Sequence, residues 1–552
     1  MKFNVLAWIF CVSLRIQLIS CKEVELNCAT NSDAYDFYKQ SQRYCEFSNS
    51  CIISGVVAEK DDELYLEDLS RKCIIFTNSS LYTIPELSTG TGLENIYASN
   101  SSLEVLPDVK WERMNRLLFE NNHIKIIPHS FKITSCVIDF SNNQISTIDK
   151  NVFEMYNGGG DYYYPNFKEC EFDLSNNLLE ILPLKAFSKF FGVNNFSGNI
   201  IKEIKNSRAE FDSHSFNSFD FSKNMLKSIP VNLFKQFGIF KTLDLSYNKI
   251  ETTNVNDSAI VANVISMTFL NLSFNKIQEF SFSFMKFFRQ LNKIDVSNNQ
   301  IECFADIQFY PYLKIKEINM NNNKIKILPS TIFSHVFSDW DLSYNLIEEF
   351  SDFQDTEPNL YNHIKKIDIS HNSLETLPIN VFSKIKIIEL KLNNNQIRIF
   401  TNFSALIQTE TLDLSHNNIK IIPFETFTNS SITNLILNNN KIRLNYGIFP
   451  INVEMIDLRF NNLDISDIEI FLFYNNLHTI FFDNNKSLFL LLDELKFSNI
   501  KTIGISKNNY LCWQLIVLLK TLKSADIGFV INNSLVNDSP NINGIECSNP
   551  FF

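Results

Sequence analysis

Apolar residues recur two apart in short bursts along nearly the whole chain, and each burst ends in the same way. LDLSYNKI from Leu243, IDVSNNQI from Ile294, IDISHNSL from Ile367 and LDLSHNNI from Leu412 all read apolar-x-apolar-x-x-Asn-x-apolar. The Asn or its substitute falls at positions 79, 101, 122, 143, 177, 199, 224, 248, 275, 299, 323, 345, 372, 395, 417, 440, 461, 485 and 508. That makes nineteen units with a mean period of about 24 residues. Ser79 and Ser101 replace Asn in the first two.

Residues two apart point to one face of a strand, so Leu243 and Leu245 face inward and Asp244 outward. One such strand cannot bury its apolar face alone, but stacked copies can. The Asn turns inward where the chain leaves the strand, and its amide can satisfy buried backbone groups of neighbouring coils. The second half of a unit often reads I-P-x-x-x-F, as in Ile229–Phe234, Leu328–Phe333 and Ile422–Phe427. Those Phe are expected to form an inner spine, which accounts for much of the Phe content of 51 as core. The pattern resembles the leucine-rich repeat. It predicts an α/β solenoid: a horseshoe with a parallel concave β-sheet roughly 90 Å long, an irregular or short-helix convex side, and disulfide-capped ends.

The ends read differently from the middle. VLAWIFCVSL after Lys2 has the form of a secretory leader, cleaved after Ser20 or Cys21. The expected organisation is a signal peptide over 1–21, an N-terminal cysteine cap over 22–70 and about nineteen repeats over 71–510. A C-terminal cap with a helix and a disulfide follows over 511–552. The cap cysteines are Cys28, Cys45, Cys51 and Cys73, with three connectivities left open. Cys512 has Cys547 as its local partner, and Trp513, Ile516, Leu519 and Leu522 between them have helical spacing. Cys136 and Cys170 each stand seven residues before a ladder Asn, which puts them in one slot on adjacent strands and predicts a disulfide. Cys303 lacks such a partner and is expected as a free, buried thiol. The interval from 143 to 177 carries an insertion near 154–169, including the Tyr-rich run Tyr156–Asn166, expected as a surface loop.

Two end segments narrow the resemblance. YCEF from Tyr44, ELYLEDLSRKCIIFTNSSLYTIP from Glu63, and NNYLCWQLIVLLK with NGIEC near the C-terminus resemble the mosquito leucine-rich immune proteins. The resemblance implies a secreted haemolymph protein of innate immunity that holds protein partners. Family members hold complement-like proteins through a C-terminal coiled coil; no heptads follow Cys547 here, so that element is not expected. No later run reaches the ~20 apolar residues of a membrane span, and none is expected.

Charge and chemistry then bound the function. Forty-nine Lys and Arg against 61 Asp and Glu give a net charge of −12, which disfavours nucleic acid and anionic lipid. No HExxH, GxSxG or P-loop motif is present among the 552 residues, so neither an enzyme nor a cofactor is expected. His371 and His416 are two coils apart, roughly 10 Å, too far to share a metal, and are expected as exposed surface groups. The outward slot holds Asp139, Asp173, Asp220, Asp244, Asp295, Asp341, Asp368, Asp413 and Asp457, most of them expected to serve the repeat itself. Sequons mark Asn78, Asn100, Asn195, Asn256, Asn271, Asn402, Asn429, Asn532 and Asn537 as glycosylation candidates. Asn485 lies in the inward ladder and is expected to stay unmodified. Between the repeats at 323 and 461 the outward slots carry no sequon. There Asp341, Tyr344, Asp368, His371, Asp413, His416 and Phe460 form the expected ligand stripe, for an extracellular protein or glycan. A cell-adhesion or matrix protein is the alternative.

Overall fold

The structure is a computed structural model. It describes residues 14–18, 22–26, 50–54, 56–58, 65–66, 73–77, 79–84, 86–87, 93–106, 110–128, 132–149, 170–183, 186, 192–205, 218–231, 233, 241–254, 266–306, 315–329, 332–333, 336–351, 363–377, 379–382, 385–400, 407–444, 447–463, 470–471, 474–485, 499–531 and 541–548. The chain forms two compact units, Met1–Lys276 with Phe284–Leu291, and Ile277–Ser283 with Asn292–Phe552.

In the first unit, successive strands from Ser50–Ser54 to Phe269–Asn271 pair in parallel, each with the next. The register aligns the outward slot: Asp139, Asp173, Asn195, Asp220, Asp244 and Asn271 lie in one row. The inward partners form the core. Much of it is aromatic, because Phe119, Phe140, Phe196 and Phe221 occupy the second inward strand position. Phe119 and Phe140 lie 5.5 Å apart, and Phe196 and Phe221 stack at 5.2 Å. The Phe excess therefore fills the sheet side as well as the expected spine. At the N-terminus, Leu14–Leu18 pairs antiparallel with Lys22–Leu26.

The second unit repeats the arrangement, with parallel strands from Lys293–Asp295 to Gly528–Val530. Phe333 and Phe427 of the I-P-x-x-x-F segments are buried. Phe333 touches Trp340, Phe350 and Phe382, and Phe427 touches Phe400. Phe234 lies outside the described residues.

The ladder Asn joins the coils. Asn248 shows the pattern: its Nδ2 donates to the carbonyl of Phe221 one coil back and to that of Leu245 in its own coil, and its Oδ1 accepts the N–H of Leu226. Asn143, Asn177, Asn199, Asn345, Asn372, Asn417 and Asn461 make the same three bonds. Each amide thus closes otherwise unmet backbone groups of two coils at once. Asn485 is also buried and bonded.

The last coils depart from the pattern. Phe481 takes the outward slot, and Asp483 sits two residues later where most coils hold Ser. Asp483 Oδ1 accepts the N–H of Ser506 from the next coil at 3.0 Å. A Cβ on Gly504 would stand 2.3 Å from Asp483 Oδ2. Glycine at 504 is what admits that carboxyl, and burial raises its pKa.

Beyond these coils lies the C-terminal helix Cys512–Ser524, with Cys512 and Cys547 joined by a disulfide. The expected buried face is rotated. Leu515, Leu518, Leu519 and Leu522 are buried, whereas Trp513 and Ile516 are exposed. The segment is apolar on two sides, so spacing alone did not fix its phase; the disulfide at its first residue and the wider Leu stripe do. Among the described residues no helix is long and apolar enough to cross a membrane.

Cys303 also differs from expectation: its thiol is free but exposed. It stands four residues after a ladder Asn, the position where Ile126, Ile327, Ile399 and Ile421 also face solvent. Cys73 is disulfide-bonded and buried. Cys28 and Cys45 lie outside the described residues, as does the side chain of Cys51. The pairing of Val137 with Glu171 places the backbones of Cys136 and Cys170 in one row; their side chains lie outside the described residues. So do the insertion near 154–169, Asn78, Asn256, Asn402, Asn532 and Asn537.

Candidate functional site

The residue directly before each ladder Asn has a left-handed backbone in every described coil from Asn100 to Lys507. The geometry has a cause. The chain must turn its Asn inward while the preceding N–H still reaches the next coil. Tyr344 donates to the carbonyl of Ser370, His371 to that of Asn393, His416 to that of Asn438 and Phe460 to that of Asp483. Asn tolerates positive φ better than other side chains, and bulky residues are outliers there. Nine coils use Asn at this slot: 100, 121, 142, 176, 298, 322, 394, 439 and 484. Six carry a ring instead: Tyr247, Phe274, Tyr344, His371, His416 and Phe460.

The rings are turned outward. Tyr344 is 55% exposed and Phe460 48%, and His416 is exposed. His371 is half-buried rather than fully exposed, because it stacks face to face on Tyr344 with centroids 4.1 Å apart. The expected stripe therefore holds one close pair, Tyr344 with His371, and two rings, His416 and Phe460, in later coils. In the first unit, Tyr247 and Phe274 form a second pair, stacked at 4.2 Å and 6°. Sequence reasoning overlooked that pair, although the slot before the ladder Asn singles it out.

The carboxylates have different work. Asp341 Oδ1 accepts the N–H and hydroxyl of Ser343, and its Oδ2 accepts Asn321 Nδ2 at 3.1 Å. Asp368 is buried; it accepts from Ser370 through Oδ1 and meets Lys366 Nζ at 3.3 Å through Oδ2. Asp413 Oδ1 accepts the N–H of Ser415. The same capping of the residue two ahead recurs at Asp139, Asp173, Asp220, Asp244 and Asp295. At Asn195 and Asn271 the slot amide caps in the same way, and its Nδ2 donates to the Asp of the preceding coil. Asp457 caps the N–H of Arg459 in the same way and also holds its guanidinium through both oxygens, and that guanidinium lies 5.3 Å over Phe481. Asp139 is raised to about 6, by burial first and then by Asp173 and Glu120, against the lowering bonds from Ser141. Asp220 is raised for the same leading reason. Among the described residues no three His, Cys, Asp or Glu side chains converge as for a metal ion.

Parallel coils with an Asn ladder, one outward row of capping Asp and one row of left-handed turns define the architecture. The fold is a leucine-rich repeat solenoid. The Leucine Rich Repeat family model matches residues 408–430. Tsukushi-A of Xenopus laevis is 30% identical over 117 residues, which are 21% of this chain and 32% of that protein. The chain thus spans about a third of that relative's length. A Leptospira interrogans leucine-rich repeat protein aligns with 80% of this chain and 95% of its own at 17% identity, with a TM-score of 0.45. The LRIM1/APL1C complex aligns with 90% of this chain and 69% of its own at 16% identity and a TM-score of 0.39. The Toll–Spatzle complex of Drosophila aligns with 73% and 61% at 16% identity and a TM-score of 0.41.

Proposed function

We propose that the chain is a secreted recognition protein of innate immunity. It enters the secretory pathway by a leader over 1–21 and binds an extracellular protein or glycan partner through the row of rings before the ladder Asn. A solenoid sheet offers many contact positions on a rigid frame without needing a pocket. The observation that carries the reading is the replacement of Asn by Tyr344, His371, His416 and Phe460 at left-handed positions. Tyr344 and Phe460 add backbone strain there, His371 and His416 are tolerated as Asn is, and all four place a ring toward solvent, so folding alone does not account for the row. Exposed rings of this kind are what binding hot spots are made of. The carboxylates beside them are engaged in capping, and Asp413 Oδ2 is the oxygen left to reach a ligand. The leader proposal removes Leu14–Leu18, the first strand of the N-terminal hairpin.

The test is affinity capture from extracellular fluid with mass-spectrometric readout, using the native chain and a Tyr344→Ala/His371→Ala/His416→Ala variant side by side. A partner held by the native chain and lost by the variant supports the reading. The same proteins on both, or intracellular proteins alone, would overturn it.

A further inference from the structure

We propose that the stacked rings of Tyr247 and Phe274 are the platform for a saccharide carried on Asn271 of the same chain. The inference rests on the secretory reading above and adds a modification site with a built receptor. Tyr247 and Phe274 are 48% and 41% exposed, and both stand at left-handed positions, with φ of 54° and 55°. Two successive coils thus accept strain to present one flat apolar surface to solvent.

Asn271 lies three residues before Phe274 in the same coil and opens the sequon Asn271-Leu272-Ser273. Its Oδ1 accepts the N–H of Ser273 at 3.0 Å and the hydroxyl at 2.8 Å. Its Nδ2 donates to Asp244 Oδ2 at 2.9 Å, so the nitrogen is turned toward the coil that carries Tyr247. Glycosylation replaces one N–H of Nδ2 by a bond to the anomeric carbon of a lipid-pyrophosphate-linked oligosaccharide. The lipid pyrophosphate leaves and the proton passes to solvent. The amide oxygen and the second N–H survive, so each of these bonds can persist. The first sugar then emerges beside the ring pair, and the C–H face of a pyranose can lie on an aromatic face.

Asn195 supplies the contrast within the chain. It holds the same slot, accepts the N–H of Ser197 and donates to Asp173. Gly198 follows it in place of a ring, and Asn176 Oδ1 lies 2.2 Å from where a Cβ at 198 would be. A sugar on Asn195 meets no ring pair in its own or the preceding coil.

The experiment uses the full chain from eukaryotic secretory cells. Peptide mapping reads occupancy at Asn100, Asn195, Asn271 and Asn429, and hydrogen exchange reads protection over residues 266–276. Ser273→Ala abolishes the sequon and Ser273→Thr keeps it. Exchange in that coil is expected to be about threefold to tenfold slower in the glycosylated parent and Ser273→Thr than in Ser273→Ala, the scale of one ring stack. In a Tyr247→Asn/Phe274→Asn background, where Asn suits the backbone, that difference is expected to shrink to the effect of the lost Ser273 hydroxyl bond, read from the same proteins made without glycosylation. An empty Asn271 beside an occupied Asn100 or Asn429 overturns the proposal and leaves the secretory reading standing. Four empty sequons overturn the proposal, and all nine candidate sequons empty overturn both. Equal protection with and without the rings overturns the platform.

Discussion

Replacing His416 and Phe460 by Asn is expected to stabilise the solenoid and weaken it as a binder. Both residues hold a left-handed backbone, with φ of 51° and 53°, and both are solvent-exposed. A bulky side chain such as Phe in that region costs about 1–2 kcal/mol, whereas His is enriched there as Asn and Asp are. Asn recovers about 1 kcal/mol of this at Phe460 and less at His416, because its short polar side chain suits the conformation. The N–H bonds to the next coil, at 2.9 Å for each residue, involve backbone only and are untouched. The ladder Asn at 440 lies between the two coils, so the gains are expected to add, to about 1–1.5 kcal/mol or roughly a tenfold shift in the folding equilibrium. Urea unfolding followed by circular dichroism would read this as a higher midpoint at unchanged slope. Phe460→Ala, which keeps the strain, is the control and should gain little. Affinity for the captured partner should fall about tenfold or more, as for loss of exposed contact rings. A lower midpoint would mean that the rings hold the fold together. A raised midpoint with unchanged affinity would mean that the contact row lies elsewhere.

Three further outcomes follow from the packing. Asp139 is raised to about 6 in the folded chain. Its contribution is therefore fully present below the unfolded carboxylate range near pH 4 and is lost as pH rises through about 6. Asp139→Asn, made without glycosylation because it creates a sequon, should flatten that slope and add about 1–2 kcal/mol at pH 7; an unchanged pH profile of urea midpoints would refute it. Removing the Cys512–Cys547 bond, which spans 35 residues, by Cys512→Ala/Cys547→Ala should lower stability by about 3–4 kcal/mol. It should also open the C-terminal helix to proteolysis, and a protease-resistant cap would count against the assignment. Gly504→Ala forces a methyl onto Asp483 Oδ2 and Phe481 and should lower stability by about 1–3 kcal/mol, checked by the same urea titration; a neutral result would mean that Asp483 moves aside freely.

The repeat and the inward Asn were legible because both follow from spacing, and spacing is a backbone property. Rotation about a helix axis is not: Trp513 and Leu515 are equally apolar, and the partner surface decides which of them is covered. Cys303 was misplaced for a related reason, since its slot in a short second sheet, where it pairs with Glu279, admits both apolar and polar residues. Within the candidate site, the carboxylates were visible but their occupation by Ser343 and Ser370 was not, because a hydrogen bond two residues ahead leaves no mark on hydropathy. The left-handed turn did leave a mark. Asn-Asn pairs at 121, 142, 176, 298, 322, 394, 439 and 484 announce it, and the rings at 247, 274, 344, 371, 416 and 460 stand out only once that rule is recognised.

The exchange of roles between Asp483 and Gly504 bears on how the chain can change length. Where an Asp caps its own coil, as at Asp244 with Ser246, that coil brings its own capping group. The ladder Asn does cross coils, but it is the same group each time, so neighbours are interchangeable. Such a coil can be duplicated or excised and the seam re-forms. Across 483 and 504 the capping group and the group it caps belong to different coils, and the missing side chain at 504 is the complement of the extra one at 483. These two coils are best inherited, grafted or deleted as a single block, since an engineered shortening of the second unit that cuts between them takes the Asp483 cap from the Ser506 N–H and the Gly504 cleft from the carboxyl.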